Sequence, residues 1–374
     1  MPRVTVVDVG DGACAVLRCE CLGLPCSCEV AVLDCGAYKA SSRPAMEALR
    51  TALRPDGLRR LRILIVSHFD SDHWAGLQLL GAEATPSKLA PAVVIAYPRL
   101  PDRAPDTFAA EQALFATAKG TGVRSLDLVN TWRDKTTTTP LPLCQKMEFA
   151  AVGRRWRVLW PPRELPPHQL AALNGAVHDI ERLAEKLAAA GDSNLKDNLE
   201  AARESPLSRD APEEGVRVWY DPDAAPSLPV PDDDMEGEEE SYDHDSEPPG
   251  RFPDLGEIPV DHRAEFARVS RRLARANNNL SLIFHDDEQQ LIAYGDAKEP
   301  VLRRALAGSP SHFRVALAPH HGTATVPSVG FPSAEACVSQ AGARHRQLWC
   351  RHVESHGQER SCVNTADVGT ISFW

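Results

Sequence analysis

The apolar positions of about the first 160 residues predict strands that alternate with helices. Short runs rich in Val, Ile and other apolar residues occur at 4–7, 63–66 and 91–97, and runs of this length between turn residues are typical of buried strands. Residues 44–53 and 106–119 are longer segments that we interpret as helices. Alternation of this kind predicts an α/β fold in which helices cover layered sheets.

The pattern changes after a strand predicted at 156–160. Residues 168–203 are rich in Ala and Leu with charges at helical spacing, which predicts one long helix or two short ones. Residues 205–259 are rich in Pro, Asp and Glu and poor in apolar residues, so we expect most of them to be disordered or loosely packed. A basic amphipathic helix and five strands then follow, predicted at 264–276, 281–285, 290–294, 314–317, 335–339 and 369–373.

The charge of the chain is concentrated in one segment. The 374 residues carry a formal charge of −11, and residues 232–247 contain ten acidic side chains without any Lys or Arg. Removing these ten charges leaves −1 for the remainder, so charge does not exclude a nucleic-acid partner. The acidic run either solvates a loop, mimics DNA or docks a basic partner. Three groups of arginines are either solvated faces or phosphate contacts: Arg59, Arg60, Arg62; Arg154, Arg155, Arg157; Arg344, Arg346, Arg351.

The expected location follows from the apolar runs. No run of 18 apolar residues occurs, and a strand pattern begins at Val4. These features predict that the chain has neither a signal peptide nor a membrane span. We therefore expect a cytoplasmic protein, in which cysteines stay reduced.

Four of the ten cysteines form a CxC pair on each side of a predicted hairpin tip: Cys19, Cys21, Cys26 and Cys28. Residues i and i+2 of a strand share a face, so all four thiols can meet on one side of the hairpin. Two interpretations stay open. One is a small structural zinc site, and the other is a set of reduced, partly buried thiols.

A cluster of metal-ligand residue types follows the apolar run at 63–66. Four such side chains lie between this strand and a helix predicted to begin at Trp74: His68, Asp70, Asp72 and His73. Two imidazoles and two carboxylates within six residues are the ligand types and the spacing of a metal site. The alternative is a polar turn in which Asp72 caps the helix, and this explains one of the four residues.

Further candidate ligands also follow predicted strands. Asp296 follows the strand at 290–294, and either His320 or His321 is a candidate after the strand at 314–317. Loops at one edge of a sheet sandwich converge in space, so we expect these side chains to meet the 68–73 cluster. Asp34 ends a strand as well, where it is either a turn residue or a group that orients a metal ligand.

Several motifs together resemble one family. The segments HFDSDH, DVGDGACAVL, VLDCG, VLWPP, NNNLSLIF, YGDA, APHHGT and NTADVGTISFW resemble motifs of the metallo-β-lactamase superfamily. Within it they are most similar to the soluble nuclease-like domain of bacterial competence DNA-uptake channel proteins. Asp70 replaces the second His of the usual HxHxDH signature, and Ala13 replaces the Asp that ends DVGxGD.

The resemblance implies a fold, a four-layer αββα metallo-β-lactamase sandwich. It covers residues 4–82, 154–162 and 277–374. Residues 1–162 and 277–374 would form the two halves of the sandwich. Residues 163–276 would form an insertion that is helical at 165–203 and acidic at 205–259.

The resemblance also implies roles for the site residues. One ion would lie among His68, Asp70 and Asp296, and a second among the ligands Asp72, His73, Asp296 and His320. Asp34 would orient ligands from behind, and His321 would lie behind the ligands or face the substrate. The mid-chain candidates for one more ligand, His168 and His178, lie in the insertion and not at a strand end. Carboxylate ligands make manganese a candidate beside zinc.

These features predict a hydrolase that uses one or two divalent ions. The leading hypothesis is a phosphodiesterase or nuclease that acts on DNA, with Asp72 also accepting a proton. The candidates for the proton donor to the leaving group are His321, His345 and His352. One alternative is a metallohydrolase of a cyclic nucleotide, an ester or an amide. The other is a regulatory subunit that docks through residues 232–247. A freestanding domain without a membrane channel also suggests a role in defence or stress.

Overall fold

The computed structural model describes residues 2–19, 29–37, 42–102, 106–120, 122, 128–204, 218–220, 258–343, 345–346, 349 and 362–373. The strands of the first sheet are β1 (Pro2–Val6), β2 (Cys14–Cys19), β3 (Val30–Cys35), β4 (Leu61–Ile65), β5 (Ala92–Pro98), β6 (Thr137–Leu143) and β15 (Ile371–Phe373). The strands of the second sheet are β7 (Met147–Ala151), β8 (Arg154–Trp160), β9 (Val218–Tyr220), β10 (Ile283–Asp286), β11 (Leu291–Ala293), β12 (His312–Leu317), β13 (Ser333–Ser339) and β14 (Cys362–Asn364).

Helices lie between and around these strands. They are α1 (Arg43–Ala52), α2 (Gly57–Arg60), α3 (Ser71–Glu83), α4 (Thr107–Ala118), α5 (Leu128–Arg133), α6 (Pro167–Ala189), α7 (Asn194–Arg203), α8 (Arg263–Asn278), α9 (Glu299–Ala305) and α10 (Thr365–Val368). Short 3₁₀ turns occur at Pro86–Lys88 and Val260–His262, and Pro319–Gly322 forms a tight turn with left-handed backbone angles at His320 and His321. In the described part of the chain, no helix is both long enough and apolar enough to span a membrane.

The two sheets share one plan. The first has the order β15-β1-β2-β3-β4-β5-β6, and the second has the order β14-β13-β12-β11-β10-β8-β7-β9. In the first sheet the strands from β15 to β3 are antiparallel and those from β3 to β6 are parallel. The second sheet is likewise parallel from β14 to β11 and antiparallel from β11 to β9. Each sheet therefore brings the carboxyl ends of parallel strands to one edge.

Alternate residues of the central strands pack into two different cores. Leu17 and Leu33 belong to the core between the sheets, together with Phe284 and Val315 of the second sheet. The neighbouring residues of these strands pack with helix residues in a second apolar core. Val16 and Val32 lie in this core with Leu49 and Leu77, and Ile292 and Phe313 lie in it with Val301 and Leu302. Both sheets thus have one face toward each other and one face under helices. The expected four-layer αββα sandwich is confirmed.

The helices between the two halves pack on the sandwich. Residues 168–203, expected as one or two helices, form α6 and α7, and these pack with α8 around α4. Every residue of α4 is buried, as expected for a helix covered on all sides. On α6, Asp179 accepts hydrogen bonds from Arg182, at 2.9 Å, and from Arg272 of α8. The acidic segment 232–247 lies outside the described residues, as do Cys21, Cys26 and Cys28, so the expectations for them stay predictions.

Candidate metal centre

The candidate ligands lie at the sheet edge where the parallel strands end. The loop after β4 leads through His68 to Asp70, which precedes the first turn of α3. Asp72 and His73 lie in that first turn, because α3 begins at Ser71 and not at Trp74 as expected from sequence. Neither carboxylate forms the capping hydrogen bond of the alternative interpretation, since Asp70 at the N-cap makes no side-chain cap and Asp72 lies inside the helix.

Asp296, which follows β11, lies among four imidazole rings. Its Oδ2 is 3.5 Å from Nε2 of His68, and its Oδ1 is 3.4 Å from Nε2 of His73. The same Oδ2 is 3.5 Å from Nε2 of His320 and 3.6 Å from Nε2 of His321. The side chain of Asp296 is 5% exposed, so this carboxylate meets the four rings almost without solvent.

Two groups of three side chains have the composition and spacing of a metal site. Within each group the ligand atoms lie within 4.8 Å of one another, and all members are buried. The first group is His68, His73 and Asp296, and the second is Asp72, His73 and His321. In the second group, Nε2 of His321 is 3.3 Å from Oδ2 of Asp72 and 3.3 Å from Nε2 of His73. Both groups use Nε2 of His73, which has one lone pair and serves one ion at a time.

The residues of these groups fit a divalent ion. Ligand atoms at zinc bond lengths of 2.0–2.1 Å and tetrahedral angles are about 3.3–3.4 Å apart, and contacts between ligand atoms within the two groups measure 3.3–3.9 Å. Nε2 of His68 and Oδ1 of Asp296 are buried and have no hydrogen-bond partner among the described residues. Buried polar atoms are normally paired, and ligation of a cation would satisfy both.

Asp34 contacts the back of this centre. Its Oδ2 is 2.9 Å from Nδ1 of His73, and its Oδ1 accepts a hydrogen bond of 2.7 Å from the backbone N–H of Ser67. A carboxylate at Nδ1 holds the proton there and leaves the lone pair of Nε2 directed into the site. Asp34 has a φ of 54°, a conformation that is uncommon for a residue with a side chain and is maintained only by its surroundings.

The HHG turn after β12 directs both of its rings toward Asp296. His320 and His321 have φ values of 50° and 57°, and Gly322 has a φ of 87°, so three consecutive residues are left-handed. The backbone N–H of His320 donates to the carbonyl of Gly295 at 2.8 Å, which ties this turn to the loop that carries Asp296. The side chain of His321 is 2% exposed and that of His320 is 26% exposed. His320 therefore lies on the open side of the centre.

The remaining candidates lie at different distances from the centre. Oδ2 of Asp70 is 3.8 Å from Nε2 of His68, although Asp70 belongs to neither group of three. The ring of His345 stacks on that of His321 at 5.5 Å between centroids and 17° between planes. His168 and His178 have exposed positions on α6, so they do not join the buried ligands. His352 lies outside the described residues.

Close backbone packing holds the start of α3 against the first strands. The N–H of Ala13 donates to the carbonyl of Asp72 at 3.2 Å, so this position supports the metal loop through its backbone although it lacks the Asp of the family motif. A Cβ atom added to Gly36 would lie 2.4 Å from the carbonyl carbon of Asp72 and 2.6 Å from its oxygen. Gly36 therefore permits an approach that no other residue allows.

We expect Gly36→Ala to displace Asp72 and His73 and to weaken metal binding. The added methyl group meets backbone and not a flexible side chain, so its accommodation should cost about 1–3 kcal/mol or more of folding free energy. Urea unfolding and zinc titration measure the two effects. Gly122→Ala is the matched control, because Gly122, like Gly36, does not have a positive φ, and no atom of the described residues lies within 4 Å of a Cβ added at Gly122. Equal zinc affinity in both variants would contradict the packing argument.

The side chains of the centre shift one another's pKa values. Burial acts to raise the pKa of Asp72 and of Asp296, but the adjacent imidazoles lower both below the ordinary value. Burial acts to lower the pKa of His73 and of His321, but Asp34 raises it for His73 and Asp296 for His321, so both pKa values lie above the ordinary one. Burial lowers the pKa of His320 to about 3. Without metal, the raised pKa values favour the protonated forms of His73 and His321, from which a metal must displace a proton.

Zinc affinity should consequently rise with pH. His73 and His321 have raised pKa values, and only a neutral imidazole ligates a metal. Displacement of these protons predicts that log K for Zn²⁺ rises with pH between about pH 6 and 8, by at most about two for each pH unit. Competition with a chelator, corrected for the protonation of the chelator, measures this slope. An affinity that does not change over this range would show that these imidazoles do not ligate the ion.

Comparisons with known proteins give a weak structural similarity. No family model and no curated protein matches the chain. A metallo-β-lactamase family protein from Thermus thermophilus is similar at 16% sequence identity and a TM-score of 0.24, over 42% of this chain and 51% of that chain. The chain therefore spans about half the length of that structure. The resemblance to the metallo-β-lactamase superfamily therefore rests on the sequence motifs. The narrower resemblance to competence domains stays a prediction.

Proposed function

We propose that this protein is a metal-dependent hydrolase that cleaves phosphodiester bonds, with DNA as its substrate. The observation that carries the proposal is the position of Asp296 among four imidazoles, where two buried ligand groups meet. The preference for DNA is supported by the resemblance of the HFDSDH and APHHGT motifs to competence nuclease-like domains. The charge of −1 outside the acidic segment is compatible with this polyanionic substrate.

In this proposal the buried side chains hold the metal. The ligands would be the members of the two groups, His68, Asp72, His73, Asp296 and His321, and Asp34 would orient His73. A bound divalent ion supplies Lewis acidity and lowers the pKa of a bound water from ~15.7 to about 7. Zinc and manganese both suit a set of imidazoles and carboxylates.

Two residues take proposed roles that differ from those expected from sequence. The pKa of Asp72 is lowered, because His73 and His321 outweigh the effect of burial, and a carboxylate with a low pKa is a weak base. This favours Asp72 as a ligand over Asp72 as a proton acceptor. His320, with a pKa of about 3, is neutral at physiological pH. At the open side of the site its ring offers one donor and one acceptor to substrate oxygens.

The test is a cleavage assay with metal-loaded protein. The wild type, Asp72→Ala, His73→Ala and the control His178→Ala are incubated with single-stranded DNA, double-stranded DNA and RNA in the presence of Zn²⁺ or Mn²⁺. His178 is a suitable control because its side chain is 74% exposed and lies on α6. We expect the wild type and the control to cleave DNA and the two ligand variants to be inactive.

Other outcomes of this assay distinguish the alternatives. If the protein cleaves a cyclic nucleotide and leaves all polymers intact, its substrate is a small phosphodiester and not DNA. A protein that holds metal but cleaves none of these substrates would contradict the phosphodiesterase assignment. The docking of a protein partner through residues 232–247 is a separate prediction that this assay does not address.

A further inference from the structure

We propose that Ser67 and Ser281 are positioning residues that join the metal ligands of the two halves of the chain. The inference rests on the proposed metal centre and adds to it two residues that the sequence did not single out. Ser67 and Ser281 are 1% and 0% exposed, and they lie in the loop after β4 and just before β10. Their hydroxyl groups contact ligand residues from opposite halves of the sandwich.

Ser67 contacts the back of two imidazoles. Its Oγ is 3.3 Å from Nδ1 of His68 and 3.1 Å from Nδ1 of His73. A hydroxyl oxygen has two lone pairs and can accept from both rings. His73 has Asp34 as a second partner at 2.9 Å, whereas Ser67 is the hydrogen-bond partner of Nδ1 of His68 in the described part of the chain.

This contact sets the tautomer of His68. A proton on Nδ1 that is donated to Ser67 leaves the lone pair of Nε2 free to ligate a metal. Without the hydroxyl, the N–H at Nδ1 would be buried without an acceptor, which is costly. The ring would then prefer the proton on Nε2, where it opposes metal binding.

Ser281 performs the corresponding task for Asp296. Its Oγ accepts a hydrogen bond of 3.1 Å from the backbone N–H of Asp296. The next residue, Leu282, donates its N–H to the carbonyl of Ser67 at 2.6 Å. A continuous set of contacts therefore runs from His68 through Ser67 and Ser281 to Asp296.

Gly295 fits closely between the two serines. It has a φ of 52°, and a Cβ added to it would lie 3.0 Å from Cβ of Ser281 and 3.2 Å from Cβ of Ser67. Cβ contacts this short force a neighbour to move. The glycine therefore allows both serines to reach the backbone beside Asp296, and the separation between Asp296 and the ring of His68 depends on this packing.

The test compares four serine variants of the full chain with the wild type. They are Ser67→Ala, Ser281→Ala, the rescue variant Ser67→Thr and the control Ser270→Ala. Ser270 is 0% exposed and donates to the carbonyl of Phe266 at 2.8 Å, so its replacement removes an equally buried hydroxyl within α8. The readouts are the dissociation constant for Zn²⁺, from chelator competition, the visible absorption of the Co²⁺ form, and the melting temperature.

We expect Ser67→Ala and Ser281→Ala each to weaken Zn²⁺ binding by about 10–100-fold and to alter the Co²⁺ spectrum. Ser67→Thr should restore most of the affinity, and Ser270→Ala should bind as the wild type does. Unchanged affinity and spectra in both alanine variants would overturn the inference and leave the proposed function intact. Equal losses in Ser270→Ala would also overturn it, because they would show a general effect on stability. A wild type that binds no Zn²⁺ would overturn the metal centre and this inference together.

Discussion

Asp296→Ala is expected to abolish tight metal binding and hydrolysis together. Its carboxylate contacts Nε2 of His68 and of His73 and both histidines of the HHG turn at 3.4–3.6 Å. Replacement of a residue that only orients a ligand typically costs 10–100-fold in affinity. Asp296 would itself be a ligand, so its loss should weaken Zn²⁺ binding by more than about 100-fold.

Chelator competition and DNA cleavage measure the two effects of Asp296→Ala. Asp287→Ala is the control. Asp287 is exposed in the turn between β10 and β11, so this replacement removes one carboxylate at a distance from the centre. Asp296→Ala also removes the carboxylate that raises the pKa of His321. Should Asp296→Ala bind Zn²⁺ as tightly as the control does, Asp296 is not a ligand.

His321→Ala and His320→Ala are expected to have different effects. His321 is almost fully buried and belongs to the group with Asp72 and His73, so its loss should weaken Zn²⁺ binding by more than about 100-fold. His320 lies on the open side, and its loss should reduce the rate of cleavage while the affinity for Zn²⁺ changes by less than about tenfold.

Metal titration and steady-state kinetics separate these two outcomes. The reverse order, with affinity lost in His320→Ala and retained in His321→Ala, would support the ligand assignment that the sequence resemblance implied. Comparable losses of affinity in both variants would indicate that the HHG turn acts as one unit. Either result would contradict the roles proposed for the two rings.

The fold was predictable because its central strands carry a strong local signal. The runs at 63–66 and 91–97 are short and apolar, and the structure places β4 and β5 there. The strand β6 (Thr137–Leu143) was missed because Pro140 and Pro142 cannot donate to a ladder and argue against a strand. It forms nevertheless at the edge of the first sheet, where a missing donor is tolerated.

The candidate site was predictable in composition but not in detail. The spacing of HFDSDH and the strand-end positions of Asp296 and the HHG triplet were enough to expect one cluster. The choice between His320 and His321 depends on three consecutive left-handed residues, which no side-chain pattern reveals. Ser67 and Ser281 were missed because a serine before a strand or after one is an ordinary turn residue, and only the fold brings their hydroxyl groups to the ligands.

The most direct test of the account is anomalous X-ray scattering from crystals of the Zn²⁺-loaded protein, recorded on both sides of the zinc absorption edge. The account predicts an anomalous peak at bonding distance, about 2.0–2.2 Å, from Nε2 of His73 and from a carboxylate oxygen of Asp296 or Asp72. A zinc peak bound elsewhere on the chain, with His73 and Asp296 still in direct contact and unligated, would contradict it.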